Sequence, residues 1–218
     1  HLSERDFQFI NERKIFLKIS FSTLACPSYS WTDIYSMAKD LGFDGIEIRG
    51  LGQDIFAVKA KPFSDEQLPK TVAKLNSLHL EIPCLSSGCC LKYEDKLEES
   101  LTEIYEYIKL ADKLGTPYVR VLADLEPAPN GEVDDEIVIA GLKRAAEIAE
   151  KTTVTLLVES NGVYADTKRL RKVLDAVNSR AVAALWDMNH PYRFMNEQPE
   201  DTVINLGQYI KFVHVKDS

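Results

Sequence analysis

Seven short, β-rich apolar runs punctuate this chain, and amphipathic helical patterns fill most of the gaps between them. The runs are Leu17 to Phe21, Gly45 to Ile48, Glu81 to Leu85, Tyr118 to Leu122, Thr155 to Val158, Val182 to Trp186 and Lys211 to Val215. Helical spacing is plain in W-T-D-I-Y-S-M-A-K-D-L-G-F, where Ile34, Met37, Ala38 and Leu41 share one stripe and Gly42 offers a left-handed C-cap. Further helices are expected over Asp65 to Leu78, Glu94 to Leu114, Asp134 to Lys151, Thr167 to Val177 and about Pro199 to Tyr209. Strict alternation of strand and helix requires parallel strands joined by crossover helices, and runs with little polar alternation suit strands covered on both faces.

Two architectures meet that requirement. A doubly wound open sheet of this order usually carries a Gly-rich turn after its first strand. Here that turn reads S-F-S-T-L-A-C-P-S, without glycine. The alternative is a (β/α)₈ TIM barrel, read as one domain over residues 1–218. With 218 residues and 45% hydrophobic content, the chain can bury a core of that kind. Seven strands do not close an eight-stranded barrel, whose usual length is ~250 residues. The sequence stops at H-V-K-D-S, where a seventh helix should begin, so a barrel incomplete at its carboxyl end, in a fragment of a longer chain, is expected.

Charge and composition narrow the partners. The formal net charge is −8, from 34 acidic and 26 basic residues, which gives no electrostatic reason to bind a polyanion such as nucleic acid. The start, H-L-S-E-R-D-F-Q-F-I-N-E-R-K, has no apolar stretch of signal-peptide length, and no run is long enough to span a membrane. A cytoplasmic protein is expected. Cys26, Cys84, Cys89 and Cys90 lack paired C-x-x-C spacing and read as reduced core or loop thiols, with the adjacent Cys89 and Cys90 in a loop after S-S-G.

In a parallel barrel the active site is built from residues that follow the strands' carboxyl ends. Strand five runs into Glu159 and Ser160-Asn161-Gly162, strand six into Asp187 and then His190, and strand seven carries His214 between valines. Each residue alone has a plainer reading: a solvated Glu, a turn-capping Asp, a hydrogen-bonded core His. Together, on three consecutive strands at one rim, they are the mixed oxygen and nitrogen ligands a divalent metal requires.

G-F-D-G-I-E-I at Gly42 to Ile48, V-E-S at Val158 to Ser160, W-D-M-N-H at Trp186 to His190 and H-V-K-D at His214 to Asp217 give the chain a resemblance, from about Ile15 onward, to a known family. It resembles the xylose isomerase-like TIM-barrel superfamily, in its sugar phosphate isomerase/epimerase branch. The resemblance implies that Glu159 binds the metal and serves as an acid/base carboxylate, that Asp187 and His214 are further metal ligands, and that His190 contacts substrate oxygens. The family normally supplies a fourth ligand, a glutamate on strand eight, that also acts as the opposing acid/base. This sequence ends before that strand.

The implied chemistry is reversible isomerisation or epimerisation of a small sugar or sugar phosphate through an enediolate, with a metal stabilising the developing charge. Mn²⁺ is the ion expected, although Mg²⁺, Co²⁺ and Zn²⁺ accept the same ligands. Glu47 is a candidate substrate contact, against the plainer reading of a structural ion pair with Arg49. Trp31, with Tyr29, is a candidate wall for a sugar ring, against the reading of Trp31 as the start of a helix burying itself. Rival readings are a dehydratase acting on a cyclic polyol at the same metal site, and a non-catalytic sugar-binding barrel. Abasic-site endonucleases of the superfamily add histidines after strands two and three, where this chain has E-I-R-G-L-G and C-L-S-S-G. Unpaired edges in an incomplete barrel would favour association between copies of the chain.

Overall fold

The computed structural model describes residues 17–216. Asp217 of the H-V-K-D motif and the amino-terminal segment with His1 lie outside the described residues. Seven parallel strands are present: β1 (Ser20–Ser22), β2 (Gly45–Glu47), β3 (Cys84–Cys90), β4 (Tyr118–Leu122), β5 (Thr155–Glu159), β6 (Val182–Asp187) and β7 (Ile210–His214). β1 pairs with β2, and β3 to β7 form a five-stranded sheet in sequence order. Single bridges from Gly45 to Glu81 and from Ile48 to Leu85 join the two sheets, so the strands follow one another around a TIM barrel. Among the described residues no ladder joins β7 to β1.

Helices α1 (Trp31–Asp40), α2 (Leu68–Leu78), α3 (Leu97–Leu114), α4 (Asp135–Ala149), α5 (Thr167–Val177), α6 (Asn189–Met195) and α7 (Pro199–Leu206) connect the strands. Their starts follow capping chemistry. Ser30 and Asp33 form a reciprocal capping box on α1, and the Asp134 and Asp166 carboxylates accept from the first backbone amides of α4 and α5. Gly42, just beyond α1, has φ +75°, the left-handed conformation expected of it. The helices bury their apolar stripes, including Ile34, Tyr107, Leu142 and Leu170, against the outward residues of the strands, such as Ile46, Ile48 and Val158. No described helix is long and apolar enough to cross a membrane.

Two elements differ from the sequence reading. Strand three was expected over Glu81 to Leu85 with a loop beyond; it runs instead from Cys84 through Cys90, with a register shift between Ser86 and Cys90. The polar residues fit because they find partners: Ser86 donates to Glu47, and Ser87 Oγ donates to the Arg120 carbonyl at 2.7 Å. Cys89 and Cys90 are therefore buried strand residues, and all four cysteines are free thiols. The second difference is α6, which the sequence reading did not include; Pro191 sits in its first turn, where its missing N–H is harmless.

Because side chains alternate along a strand, residues two apart face the same side. Inside the barrel this produces a lower apolar layer and an upper polar one. Leu157, Ala183 and Leu185 cluster with Tyr118 and Phe212 below. Two residues further along each strand stand Glu159, Asp187, Arg120 and His214, at the carboxyl ends.

Candidate metal centre

The polar layer borders a cavity of about 1890 Å³ that opens between β1 and β7. Glu47, Glu159, Asp187, His190 and His214 all line it. Trp31 does not. It begins α1 and stacks edge-on against Tyr35 (ring centroids 5.7 Å apart) and Phe63 (5.9 Å), so it serves the helix's own packing and the expectation of a sugar wall at the mouth is not met.

Glu159, Asp187 and His190 are buried, and each offers one ligand atom such that the three lie within 4.8 Å of one another. The β5 loop sets this up. Ser160 Oγ accepts from the Asp187 amide at 2.9 Å, and the Ser160 carbonyl is 3.1 Å from His190 Nδ1. A ring nitrogen held by a carbonyl carries the proton, which leaves His190 Nε2 with its lone pair facing the carboxylates, the arrangement commonly found behind metal-binding histidines. Asp187 Oδ1 accepts from the amides of Asn189 (3.0 Å) and His190 (3.2 Å), fixing the carboxylate. Its Oδ2 is buried and has no hydrogen-bond donor. Lys216 Nζ lies 2.8 Å from it, a close ion contact without hydrogen-bond angles, and 2.8 Å from His190 Nε2.

A buried carboxylate oxygen without a hydrogen-bond donor and an imidazole lone pair, both turned to one ammonium, describe a place that holds a cation. The donor set of carboxylates and imidazole fits a divalent metal.

His214 sits beside this group, opposite Asp187 in the β6–β7 register. Its Nδ1 is 3.7 Å from Glu159 Oε1, and its Nε2 lies 3.1 and 3.0 Å from the two Glu47 oxygens. The Glu47–Arg49 ion pair is thus not formed; Glu47 is held by His214 and Ser86. Burial lowers the proton affinity of His214, but the contacts with Glu159 and Glu47 outweigh it and raise the imidazole to about 9. Glu159 moves the other way. Burial raises it, yet the Arg120 guanidinium, 2.8 Å away, and the contact with His214 bring it down to about 2. His190 is lowered by burial, with Lys216 adding to the effect against Asp187.

Several participants escaped the sequence reading. Arg120 is the most legible of them, since a guanidinium in the middle of Y-V-R-V-L must find an anion if the strand is buried. Ser160 and Lys216 fall within the V-E-S and H-V-K-D motifs, but their contacts could not be read there, because the partners are 26 or more residues away.

Residues 36–218 match the sequence family described as xylose isomerase-like TIM barrel. Solved structures of similar fold include the D-psicose 3-epimerase of Clostridium cellulolyticum H10 with D-tagatose, at 16% identity, covering 91% of this chain and 72% of that one, with a TM-score of 0.74. A xylose isomerase-like TIM barrel protein from Mycobacterium smegmatis in complex with magnesium gives 17% identity, 92% and 75% coverage and 0.73. The probable 3-DHS dehydratase AsbF of Bacillus anthracis gives 20%, 91% and 72%, and 0.71. No curated protein matches the chain.

Proposed function

This chain belongs to the xylose isomerase-like TIM barrel family, and from that membership and the chemistry of its rim we propose that it takes part in metal-dependent isomerisation or epimerisation of a small sugar or sugar derivative. The observation that carries the reading is the convergence of Glu159, Asp187 and His190 at the carboxyl ends of β5 and β6, with Asp187 Oδ2 left without a donor.

Glu159 and Asp187 would hold the ion together with one imidazole. His190 already offers a ring nitrogen within 4.8 Å of both carboxylates, while the family resemblance favours His214, with His190 turned to substrate oxygens. A divalent ion so held would supply a Lewis acid for the carbonyl and hydroxyl oxygens of a bound sugar and would stabilise charge developing on them. Mn²⁺ is the ion we propose, with Mg²⁺, the ion of the M. smegmatis structure, as its comparator.

Glu159 is ionised at neutral pH and so able to accept a proton from the carbon beside the carbonyl. Held near 2, it is a weak base, and loosening of the Arg120 contact as substrate enters would raise its driving force. If His190 holds the metal, His214, protonated and hydrogen-bonded to Glu47, can supply a proton to a substrate oxygen from the β7 side. The apolar layer of Leu157, Ala183 and Leu185, with Phe212 packed against it, lies directly beneath these groups.

A second reading, a dehydratase, uses the same groups but follows proton removal by loss of a hydroxyl. It is kept because AsbF shares the fold. Incubation with a panel of aldoses, ketoses and keto-polyols in D₂O tests both. Deuterium entering at carbon beside the carbonyl, dependent on added metal and lost in Glu159→Gln, is expected. Isomeric products indicate an isomerase or epimerase, an enone absorbance a dehydratase. Bound metal measured beside Asp187→Asn and His190→Ala provides the structural arm. A folded wild-type chain that takes up no metal and exchanges no substrate proton would favour the sugar-binding alternative.

A further inference from the structure

The charges around the cavity do not balance. Four carboxylates line it, and each has a cation of its own: Glu47 with His214 at 3.0 Å, Glu81 with Lys18 at 2.5 Å, Glu159 with Arg120 at 2.8 Å, and Asp187 with Lys216 at 2.8 Å. A further cation, Arg49, lines the same cavity and has no hydrogen bond or ion pair to its guanidinium among the described residues. Arg120 is 8% exposed, and its Nε, which takes no part in the Glu159 contact, has no hydrogen-bond partner. Burying a guanidinium donor without an acceptor, as at Arg120, is unfavourable, and the half-buried Arg49 faces the same cavity, from which an acceptor can arrive.

The backbone arranges the two arginines toward one place. Ser86 is the register partner of Arg120 across β3 and β4, and it bonds Glu47 on β2. One step higher, Arg49 follows Glu47 by two residues and Gly88 follows Ser86 by two, so both continue the inward side toward the mouth. A Cβ on Gly88 would stand 3.4 Å from Arg49 Nη2 and 3.9 Å from its Cζ, in ordinary van der Waals contact, so the guanidinium lies next to β3 at this point. Burial disfavours the charged form of Arg49, and the like charge of Arg120 adds to this; Tyr107, Glu103 and Cys89 offset only part of it, and an anion would relieve the remainder.

We propose that Arg49 and Arg120 form an anion subsite at the β2–β4 side of the mouth, and that the substrate carries a carboxylate or phosphate group seated there. The proposal rests on the metal-dependent reading for its placement of the reacting carbon near Glu159, and it sharpens the substrate class from sugar to sugar acid or sugar phosphate. A divalent ion arriving at Asp187 in place of the Lys216 ammonium makes the cavity more positive still, so the need for a substrate anion grows when the site is loaded. Planar guanidinium groups suit either oxyanion by paired N–H donors.

The test is calorimetric titration of the 218-residue chain, with and without Mg²⁺, using inorganic phosphate, D-gluconate and the neutral D-glucose. At least one anion should bind about tenfold or more tightly than glucose, weakening as salt rises. Arg49→Leu should abolish that preference, and Arg49→Lys should retain much of it, with the circular dichroism of both variants unchanged. Phosphate preferred over gluconate identifies a sugar phosphate, and the reverse a sugar acid. Equal binding of all three probes, or a preference that survives in Arg49→Leu, overturns the subsite. Metal uptake measured on the same samples separates the two readings. Uptake without anion preference removes the subsite alone, whereas Arg49-dependent anion binding without uptake removes the metal-dependent reading and leaves the subsite standing.

Discussion

Counting protons released on metal binding should tell the two candidate histidines apart. His214 is raised to about 9 by Glu159 and Glu47 against its burial. At pH ~7.5 such a group is protonated in about 97% of molecules. An imidazole must be neutral to bind metal, so coordination through His214 releases close to one proton per ion. At about 1.4 kcal/mol per pH unit, deprotonating it at pH ~7.5 costs about 2 kcal/mol of affinity, and apparent affinity should climb nearly tenfold per unit until pH ~9. His190 behaves otherwise. Burial and Lys216 lower its proton affinity, so coordination through its Nε2 releases no proton from it. Calorimetry in buffers of different ionisation enthalpy reads the proton count directly, and repetition with His214→Ala assigns it. A count near one that disappears in the variant identifies His214 as the ligand. A count near zero, with affinity flat between pH ~7 and ~9, refutes that assignment and leaves the nitrogen to His190.

Three further outcomes follow from the same geometry. Lys216→Met removes the ammonium 2.8 Å from Asp187 Oδ2, and metal affinity should rise roughly three- to tenfold in competition titrations; unchanged or weaker binding would show that the lysine does not compete. Gly162 has φ +57°, and a Cβ there would stand 2.2 Å from Asp124 Oδ2, the oxygen that accepts from the Val163 amide at 3.0 Å. Gly162→Ala should therefore destabilise by about 2–4 kcal/mol in urea unfolding, and a loss below about 1 kcal/mol would mean the loop adapts freely. The third concerns pH. His214 is raised in the folded chain, so its contribution of about 3 kcal/mol is present below its ordinary 6.5 and disappears as pH rises through about 9; the metal-free chain should be less stable at pH ~10 than at pH ~6. Glu159 is lowered, so its share is present above its ordinary 4.5 and lost toward about 2. The two shifts share one contact and are not additive. Equal denaturation midpoints at pH ~6 and ~10 would contradict the His214 value.

Local pattern alone determined the order of strands and helices, the parallel sheet and the rim on which chemistry stands. Apolar runs of the right length were separated by stripes that only crossover helices could bury, and residues directly after those runs had to meet at one end. Glu159, Asp187 and His190 were legible for that reason. What a residue touches across the barrel was not. Glu47 sits two residues from Arg49 in sequence yet bonds His214, 167 residues away, and Trp31 turns to Tyr35 and Phe63 instead of the mouth. The polar run after Leu85 continued as strand because Glu47 and the Arg120 carbonyl satisfied its serines. Proton affinities were equally out of reach, since His214 and Glu159 are displaced in opposite directions by each other, by Arg120 and by Glu47, charges that only the closing together of β2, β4, β5 and β7 brings into range.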